Sequence, residues 1–288
     1  MKEVSGWTAG DYINELAKVF RADGTYKDKI TTSSHCVTIN YAGERKIDVA
    51  PCLINRGGWV RQEVCNRITG QFETTSPTLY TNWIIEKNDI TGSNSFRKVT
   101  RLVKYLRDHK TTFTCSSVVL TTLLAGQIQE SDKDSDDFAD TPSALKAVFG
   151  RLDSYLQTLS AKPTVSNPSL TTEDFAASWT EDQFNNFKNM VNKYRGWIDE
   201  AYDCDNRDNS IALWRKIFGD DFASSVTLEE GKSVSKAARQ RIVALAKSTT
   251  SLASDLVSLV LEFGRTALPP GFDDLPYKHE PEWFRAPL

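Results

Sequence analysis

Hydrophobic and polar positions change their spacing along the N-terminal part of the chain. In residues 8–21, TAGDYINELAKVFR, apolar side chains recur every three or four positions, which predicts an amphipathic helix capped by Thr8. The runs 34–42 and 46–54 are rich in β-branched residues and predict two strands, joined at AGER as a hairpin. Residues 55–80 are rich in Gly, Asn and Thr, which predicts further strands and loops.

The chain beyond this region has mostly helical spacing. The predicted helices are 78–88, 95–109, 115–129, 142–160, 181–203, 208–218 and 233–264. The segment 130–142 carries six acidic residues and one basic residue, and is typical of a solvated loop. Two prolines interrupt the helical pattern in 162–170. A small mixed N-terminal part followed by helices indicates an α+β protein.

Composition narrows the class of protein. The chain has 288 residues, is 40% hydrophobic and 25% charged, and has a formal net charge of −3. These values predict a folded protein with a sizeable core rather than a disordered chain or a globally basic nucleic-acid coat. Five cysteines without a CxxC pair indicate reduced thiols. No apolar run reaches membrane-spanning length and the N-terminus lacks a signal-peptide core, so we expect a soluble cytoplasmic protein without membrane contact.

One carboxylate interrupts an apolar strand pattern. Asp48 lies between Ile47 and Val49 in KIDVAP, and Pro51 ends the run. Successive side chains of a strand point to opposite faces, so Asp48 points away from its two apolar neighbours. It either faces solvent at a sheet edge or meets a cation, because burying an unpaired carboxylate costs several kcal/mol.

The segment SFRKVTRLVKYLRDHK has two opposed faces. At about 100° per residue its apolar positions form one face and its cations the other. The apolar face is Val99, Leu102, Val103 and Leu106, and the basic face is Arg97, Arg101 and Lys104. TCSSVV follows at 114–119, with Ser116 and Ser117 at the next helix start. Cations, hydroxyls and a helix N-terminus suit a polyphosphate; a solvated face and plain N-capping are the alternatives.

These segments, in their order, carry a resemblance to a known family. The DVAP strand, TTSPTLYTNWIIEKN, SFRKVTRLVKYLR, CSSVVL, NPSL and IALWRKIFGDDF follow one another from about residue 10 to 225. This order resembles the SMODS-type nucleotidyltransferases of the CD-NTase family, related to cyclic GMP-AMP synthase and oligoadenylate synthases. The resemblance implies a partial polymerase-β-like nucleotidyltransferase core at 1–90, an α-helical domain at 91–265 and a Pro-rich tail at 266–288.

The resemblance also implies an activity and a site. Family members use Mg²⁺, with Mn²⁺ as an alternative, to join nucleoside triphosphates such as ATP and GTP into cyclic or linear oligonucleotide second messengers. Many serve anti-phage signalling through a downstream effector that reads the product. Asp48 matches the third metal carboxylate, Lys104 the triphosphate-contacting lysine, and Ser116 or Ser117 the serine after it. Tyr80 and Trp83 fall where the family has aromatics near the nucleobase, although core packing fits Trp83 better.

One departure from the family pattern concerns the other carboxylates. The family has a Gly-Ser pair followed by a D-x-D strand, and neither occurs upstream of the first predicted helix of this chain, although Gly-Ser occurs at 92–93 and D-x-D at 203–205. We expect that the sequence starts after that strand, and that the chain is catalytically incomplete, because Asp48 alone cannot hold two Mg²⁺ ions about 3.5–4 Å apart. A non-catalytic nucleotide- or partner-binding relative is one alternative. An RNA-tailing nucleotidyltransferase is another, although the acidic net charge disfavours a nucleic-acid substrate.

Overall fold

The computed structural model describes residues 1–42, 46–59 and 61–223. They form two compact units. Unit 1 comprises Met1–Thr81 with Pro168–Glu173, and unit 2 comprises Asn82–Asn167 with 174–223. The predicted helix 233–264 and tail 266–288 lie outside the described residues. The functional domain limits at 90 and 265 stay predictions.

Residues 1–76 of unit 1 contain the helix α1 and two antiparallel sheets. The first sheet has the order β1-β2-β3 and the second β4-β5-β6. The elements are α1 (Ala9–Ala22), β1 (Ile30–Thr32), β2 (Val37–Asn40), β3 (Lys46–Val49), β4 (Cys52–Ile54), β5 (Gln62–Cys65) and β6 (Phe72–Thr75), with a short 3-10 helix at Arg56–Gly58.

The core of unit 1 forms where α1 covers the sheets. Thr8 caps α1 in a capping box with Asp11, as the sequence predicts for its start. The buried side of α1 packs with one side chain from each of β2, β4 and β5, and this cluster is Ala9, Tyr12, Ile13, Ala17, Val37, Leu53 and Cys65. The spacing of apolar residues in 8–21 therefore predicts the buried face of α1 correctly.

The strand prediction over 46–54 is wrong in one respect. The run is two strands: β3 pairs with β2, whereas β4 pairs with β5 in the other sheet. Ala50 and Pro51 separate them. Proline has no N–H to donate to a ladder, so the chain leaves the first sheet here and enters the second. The run predicted over 34–42 is also shorter, at β2 alone.

The rest of the described chain is mainly helical. Its elements are α2 (Pro77–Thr91), α3 (Ser95–Lys110), α4 (Ser117–Ala125), α5 (Thr141–Thr158), β7 (Ser166–Asn167), β8 (Leu170–Asp174), α6 (Glu181–Asp203) and α7 (Arg207–Phe218), with 3-10 helices at Glu130–Asp132 and Asp136–Phe138. The helix predicted over 115–129 is shorter, because it ends at Gly126. Among the described helices, none is long and apolar enough to cross a membrane.

The helices of unit 2 pack around a common apolar core. α5 contacts α3 and α6, and α6 contacts α7. The predicted apolar face of α3 is confirmed, since each of its four members is at most 1% exposed. Large aromatic side chains fill the remaining core, chiefly Phe96, Phe149, Phe184, Phe187 and Trp214.

The acidic segment 130–142 is not a uniformly solvated loop. Asp132 is buried, and its Oδ2 accepts from Arg151 Nη1 at 2.7 Å. Arg151 also binds Asp137 at 2.8 Å. Phe138 is buried in the same segment. The prediction of a solvated loop is therefore wrong for Asp132, because an arginine of α5, nineteen positions away, supplies its counter-charge.

Candidate functional site

The predicted site residues belong to both units. Asp48 and Tyr80 are part of unit 1, whereas Arg101, Lys104, Ser116 and Ser117 are part of unit 2. Tyr80 is half-buried near the start of α2. Trp83, also half-buried, has Lys87 Nζ 6.0 Å from its ring centroid.

Asp48 is exposed on the outer face of the first sheet of unit 1. Ile47 and Val49 are half-buried on the opposite face, as the strand pattern predicts. Asp48 lies directly opposite Thr38 in the β2–β3 register, and its Oδ1 accepts from Thr38 Oγ1 at 2.6 Å. Its other oxygen, Oδ2, accepts no hydrogen bond from the described residues. One oxygen of this exposed carboxylate is therefore held by a hydrogen bond from Thr38.

Asp48 suits one position in a magnesium site. Mg²⁺ prefers oxygen ligands, and an outward carboxylate oxygen is such a ligand. Within 1–42, 46–59 and 61–223, however, no group of three or more His, Cys, Asp or Glu side chains is arranged to hold a metal ion. Asp48 thus fits as a single ligand, and the described residues do not complete the set.

The basic face of α3 lies opposite its buried face. Arg101 and Lys104 are half-buried, which leaves part of each side chain accessible while its aliphatic stem packs on the protein. α3 ends at Lys110 and α4 begins at Ser117, and the two helices contact each other. Unit 2 therefore holds the cationic face of α3 on one of two helices that contact each other.

The two serines have different roles at the start of α4. Ser116 is the N-cap, and its Oγ accepts from the Val119 backbone N–H at 3.3 Å. Ser117 is the first helical residue, and both serines are exposed. The sequence assigned capping to both, whereas only Ser116 caps α4. The first N–H groups of a helix have no intrahelical partner, so this end of α4 can accept an anion.

Arg107 is a residue that the sequence reasoning missed. From the last turn of α3, its Nη1 donates to the Cys115 carbonyl oxygen at 2.8 Å and to Ser117 Oγ at 3.3 Å. Its Nε lies 2.7 Å from Asp108 Oδ1. Arg107 thereby ties the loop before α4 to α3. The sequence does not show that the positive charge of Arg107 lies beside the start of α4, because ten positions separate Arg107 from Ser117.

Cys115 lies in the same loop, but its thiol is unreactive at neutral pH. Its side chain is buried, and burial raises the pKa of its thiol to about 12. The thiol therefore stays protonated at neutral pH, which excludes it as a nucleophile.

Comparison with known proteins shows which domain the N-terminal part of the chain resembles. Residues 1–88 match the model of the Second Messenger Oligonucleotide or Dinucleotide Synthetase domain, SMODS. The cyclic AMP-AMP-AMP synthase of Escherichia coli (strain MS 115-1) is 23% identical over 221 residues, which are 68% of this chain and 66% of that synthase. The match thus spans just under two thirds of that relative's length.

Solved structures share the fold. E. coli MS115-1 CdnC with ATP has a TM-score of 0.59 and 21% identity, over 76% of this chain and 75% of that chain. The CD-NTase CdnG of Bradyrhizobium diazoefficiens with GTP has a TM-score of 0.57 and 12% identity, over 76% and 74%. Vibrio cholerae DncV, a cyclic AMP-GMP synthase, has a TM-score of 0.53 and 18% identity, over 66% and 53%. The α+β, polymerase-β-like fold is confirmed, residues 1–88 match the SMODS domain, and the chain is similar in fold to CD-NTases.

Proposed function

We propose that this protein is a Mg²⁺-dependent nucleotidyltransferase of the kind that joins nucleoside triphosphates into a cyclic or linear oligonucleotide second messenger, and that the chain as given is catalytically incomplete. The observation that carries the proposal is the outward carboxylate of Asp48 on a strand of the SMODS-matching region. The relatives support the substrate class, since CdnC was solved with ATP and CdnG with GTP. We place this activity in the cytoplasm, in anti-phage signalling through an effector that reads the product.

The proposed roles follow from charge and hydrogen-bonding capacity. Asp48 provides one oxygen ligand to the metal. Lys104 and Arg101 compensate the negative charge of the donor triphosphate, and Ser117 with the start of α4 donates hydrogen bonds to it. Tyr80 lies against the nucleobase. When bound, Mg²⁺ would lower the pKa of the attacking hydroxyl and screen the triphosphate charge.

Product analysis tests the activity. The chain is incubated with radiolabelled ATP, GTP and their mixture, with Mg²⁺ or Mn²⁺, and the products are separated by anion exchange before and after phosphatase treatment. A cyclic product has no terminal phosphate, so phosphatase treatment leaves its elution unchanged. A linear product loses its terminal phosphates, so its elution changes. A metal-dependent product would show that this chain is a complete enzyme, whereas the absence of product with every nucleotide and metal is the result expected of a catalytically incomplete one.

Asp48→Asn provides the site-specific arm of the same experiment. Wherever the parent protein forms product, we expect Asp48→Asn to abolish it and to leave the melting temperature within a few degrees, because the carboxylate is exposed. Asp28→Asn is the matched control, since Asp28 is an exposed carboxylate of the same unit. Retained product formation in Asp48→Asn would refute the metal role.

A second candidate is a non-catalytic, nucleotide-binding relative. The observation that favours it is the lack of a three-ligand metal cluster among residues 1–42, 46–59 and 61–223. Fluorescent ATP binding separates the two candidates. Binding that depends on Lys104 without any product supports the non-catalytic role, whereas binding together with a product supports the enzyme.

A further inference from the structure

A groove in unit 2 lies between one face of α2 and the first residues of the 130–142 segment. The volume of this α2 groove is about 440 Å³, and all of its lining residues belong to unit 2. The lining residues are Asn82, Ile85, Glu86, Asp89, Ile90, Glu130 and Lys133. The two isoleucines are half-buried, so part of each apolar side chain stays accessible in the groove.

The α2 groove carries a net negative charge. Glu86, Asp89 and Glu130 contribute three carboxylates, and Lys133 contributes one ammonium group. All four residues are exposed, and within residues 1–42, 46–59 and 61–223 none of their side chains forms a hydrogen bond or an ion pair. The groove therefore combines accessible apolar surface with negative charge that the described residues leave uncompensated.

A segment of complementary composition follows the described part of the chain. Residues 232–247 contain five basic residues, and no Asp or Glu occurs from 231 to 254. The basic residues are Lys232, Lys236, Arg239, Arg241 and Lys247. Within the predicted helix 233–264, the apolar residues Val234, Ala238, Ile242 and Leu245 recur at helical spacing, which predicts an apolar stripe. Apolar anchors with adjacent charges are the features by which an amphipathic segment binds a groove.

The length of chain between the described residues and this segment permits contact with the α2 groove. Ala223 is the last described residue, and it belongs to unit 2, as the groove does. Residues 224–231 can span up to about 26–29 Å. A unit of this size has a radius of gyration of about 14 Å. The segment 232–247 can therefore reach the groove of its own chain.

We propose that the α2 groove is the docking site of residues 232–247 of the same chain. The apolar stripe of the segment contacts Ile85 and Ile90, and its cations pair with the carboxylates of Glu86, Asp89 and Glu130. Charge complementarity selects this occupant, because the segment brings positive charge and no acidic residue to a groove of net negative charge. This docking is independent of the proposed nucleotidyltransferase activity. The competing occupant is the same segment of a second copy of the chain.

Carbodiimide crosslinking of the full chain at low salt tests the occupant. The reagent joins a carboxylate to a lysine amine when the two are in direct contact, and mass spectrometry then maps the joined residues. In the monomer, we expect crosslinks from Lys232 or Lys236 to at least one of Glu86, Asp89 and Glu130. Crosslinks that occur only in a dimer, or that never include these three carboxylates, would overturn the proposal.

Trypsin gives a second measurement, because it cleaves after Lys and Arg and reaches a bound segment only when the segment is released. The variant Glu86→Gln/Asp89→Asn removes two charges of the groove. We expect its cleavage after Arg241 to be about 3- to 10-fold faster than in the parent chain, as the loss of two exposed ion pairs implies. Asp28→Asn/Asp182→Asn is the matched control, since it removes two exposed carboxylates outside the groove.

Charge reversal on both sides makes the test specific. Glu86→Lys/Asp89→Lys should speed cleavage after Arg241, and adding Lys236→Glu/Arg239→Glu should restore the slow rate. Lys133→Ala should leave the rate unchanged or lower it, because it removes a positive charge that opposes docking. The melting temperature of each variant shows whether the fold is retained. Equal rates in the parent chain and the Glu86→Gln/Asp89→Asn variant, or an equally fast control, would overturn the proposal.

Discussion

The solvent exposure of a residue in this protein depends on which face of its helix or strand it occupies. Asp48 and Ile47 are adjacent in sequence, yet one is exposed and the other half-buried, because a strand alternates its faces. Lys104 and Leu102 show the same contrast on a helix: Leu102 is fully buried whereas Lys104 keeps accessible surface. The candidate site therefore consists of the polar positions of elements whose other faces are packed.

Lys104 gives the first prediction at this scale. Lys104→Ala should raise the apparent KM for nucleotide about tenfold or more, because a lost contact to a charged phosphate costs roughly 1.5–3 kcal/mol. Initial rates against nucleotide concentration measure this. Lys133→Ala is the control, since Lys133 is an exposed lysine of the 130–142 segment. An unchanged KM in Lys104→Ala would instead favour the alternative that the basic face of α3 is only solvated.

Glu63 gives the second prediction, which concerns stability. Its side chain is 3% exposed and lies 2.7 Å from Arg56 and 3.1 Å from Arg61. The hydrogen bonds from Arg56 hold the pKa of Glu63 below its usual range. Glu63→Gln should lower the free energy of unfolding by about 1–3 kcal/mol at neutral pH, because the buried side chain loses its charge-assisted hydrogen bonds to two partly exposed arginines.

The pH dependence of the Glu63 effect has a defined sign. A lowered folded-state pKa means that the stabilisation is complete above the unfolded-state pKa of about 4.3 and is lost as pH falls through the folded-state value. Urea unfolding of both proteins should therefore show a difference that shrinks below about pH 4.3. Glu15→Gln, at an exposed pair with Lys18, should change little at any pH. A pH-independent difference for Glu63→Gln would contradict the assignment.

At the scale of elements, helix and strand ends depend on a few residues with special backbone needs. Pro51 ends the first sheet, and Gly219 ends α7 with φ +92°. That backbone conformation favours glycine. The sequence predicts the end of α7 from this glycine, but it does not show that His109, from the last turn of α3, packs against it.

Gly219→Ala is the prediction for this scale. A Cβ at Gly219 would lie 2.8 Å from His109 Cε1 and would impose an unfavourable φ, so we expect a loss of about 1–3 kcal/mol in the free energy of unfolding. Gly196 provides a contrast within α6, where an added Cβ meets no atom within 4 Å. Gly196→Ala should stabilise by about 0.5–1 kcal/mol. Denaturant unfolding that gives both substitutions the same sign would contradict this account.

At the scale of the whole molecule, burial divides the five free cysteines into two groups. Cys65 and Cys115 are buried, and burial raises the pKa of their thiols to about 11 and about 12, whereas Cys36, Cys52 and Cys204 are half-buried. Thiolate is the reactive form of cysteine, so both burial and a raised pKa lower the reactivity of Cys65 and Cys115.

A thiol titration checks this division. With a disulfide reagent at mildly alkaline pH, we expect Cys36, Cys52 and Cys204 to react in the native protein, and Cys65 and Cys115 only after unfolding in denaturant. Cys36→Ser should remove one fast equivalent and Cys115→Ser one slow equivalent. Fast loss of all five thiols in native buffer would show that the cores of the two units open readily.

Periodicity in the sequence was enough to locate α1, α3 and α7, to place Asp48 on the face away from Ile47 and Val49, and to bury one side of α3. These features depend on the geometry of a single element, which the order of residues records directly. Periodicity could not predict three contacts of the structure. They are the hydrogen bond from Thr38 to Asp48, the hydrogen bond from Arg107 to the loop before α4, and the ion pair of Asp132 with Arg151. Each joins residues eight or more positions apart, and such contacts form only when folding brings those segments of the chain together.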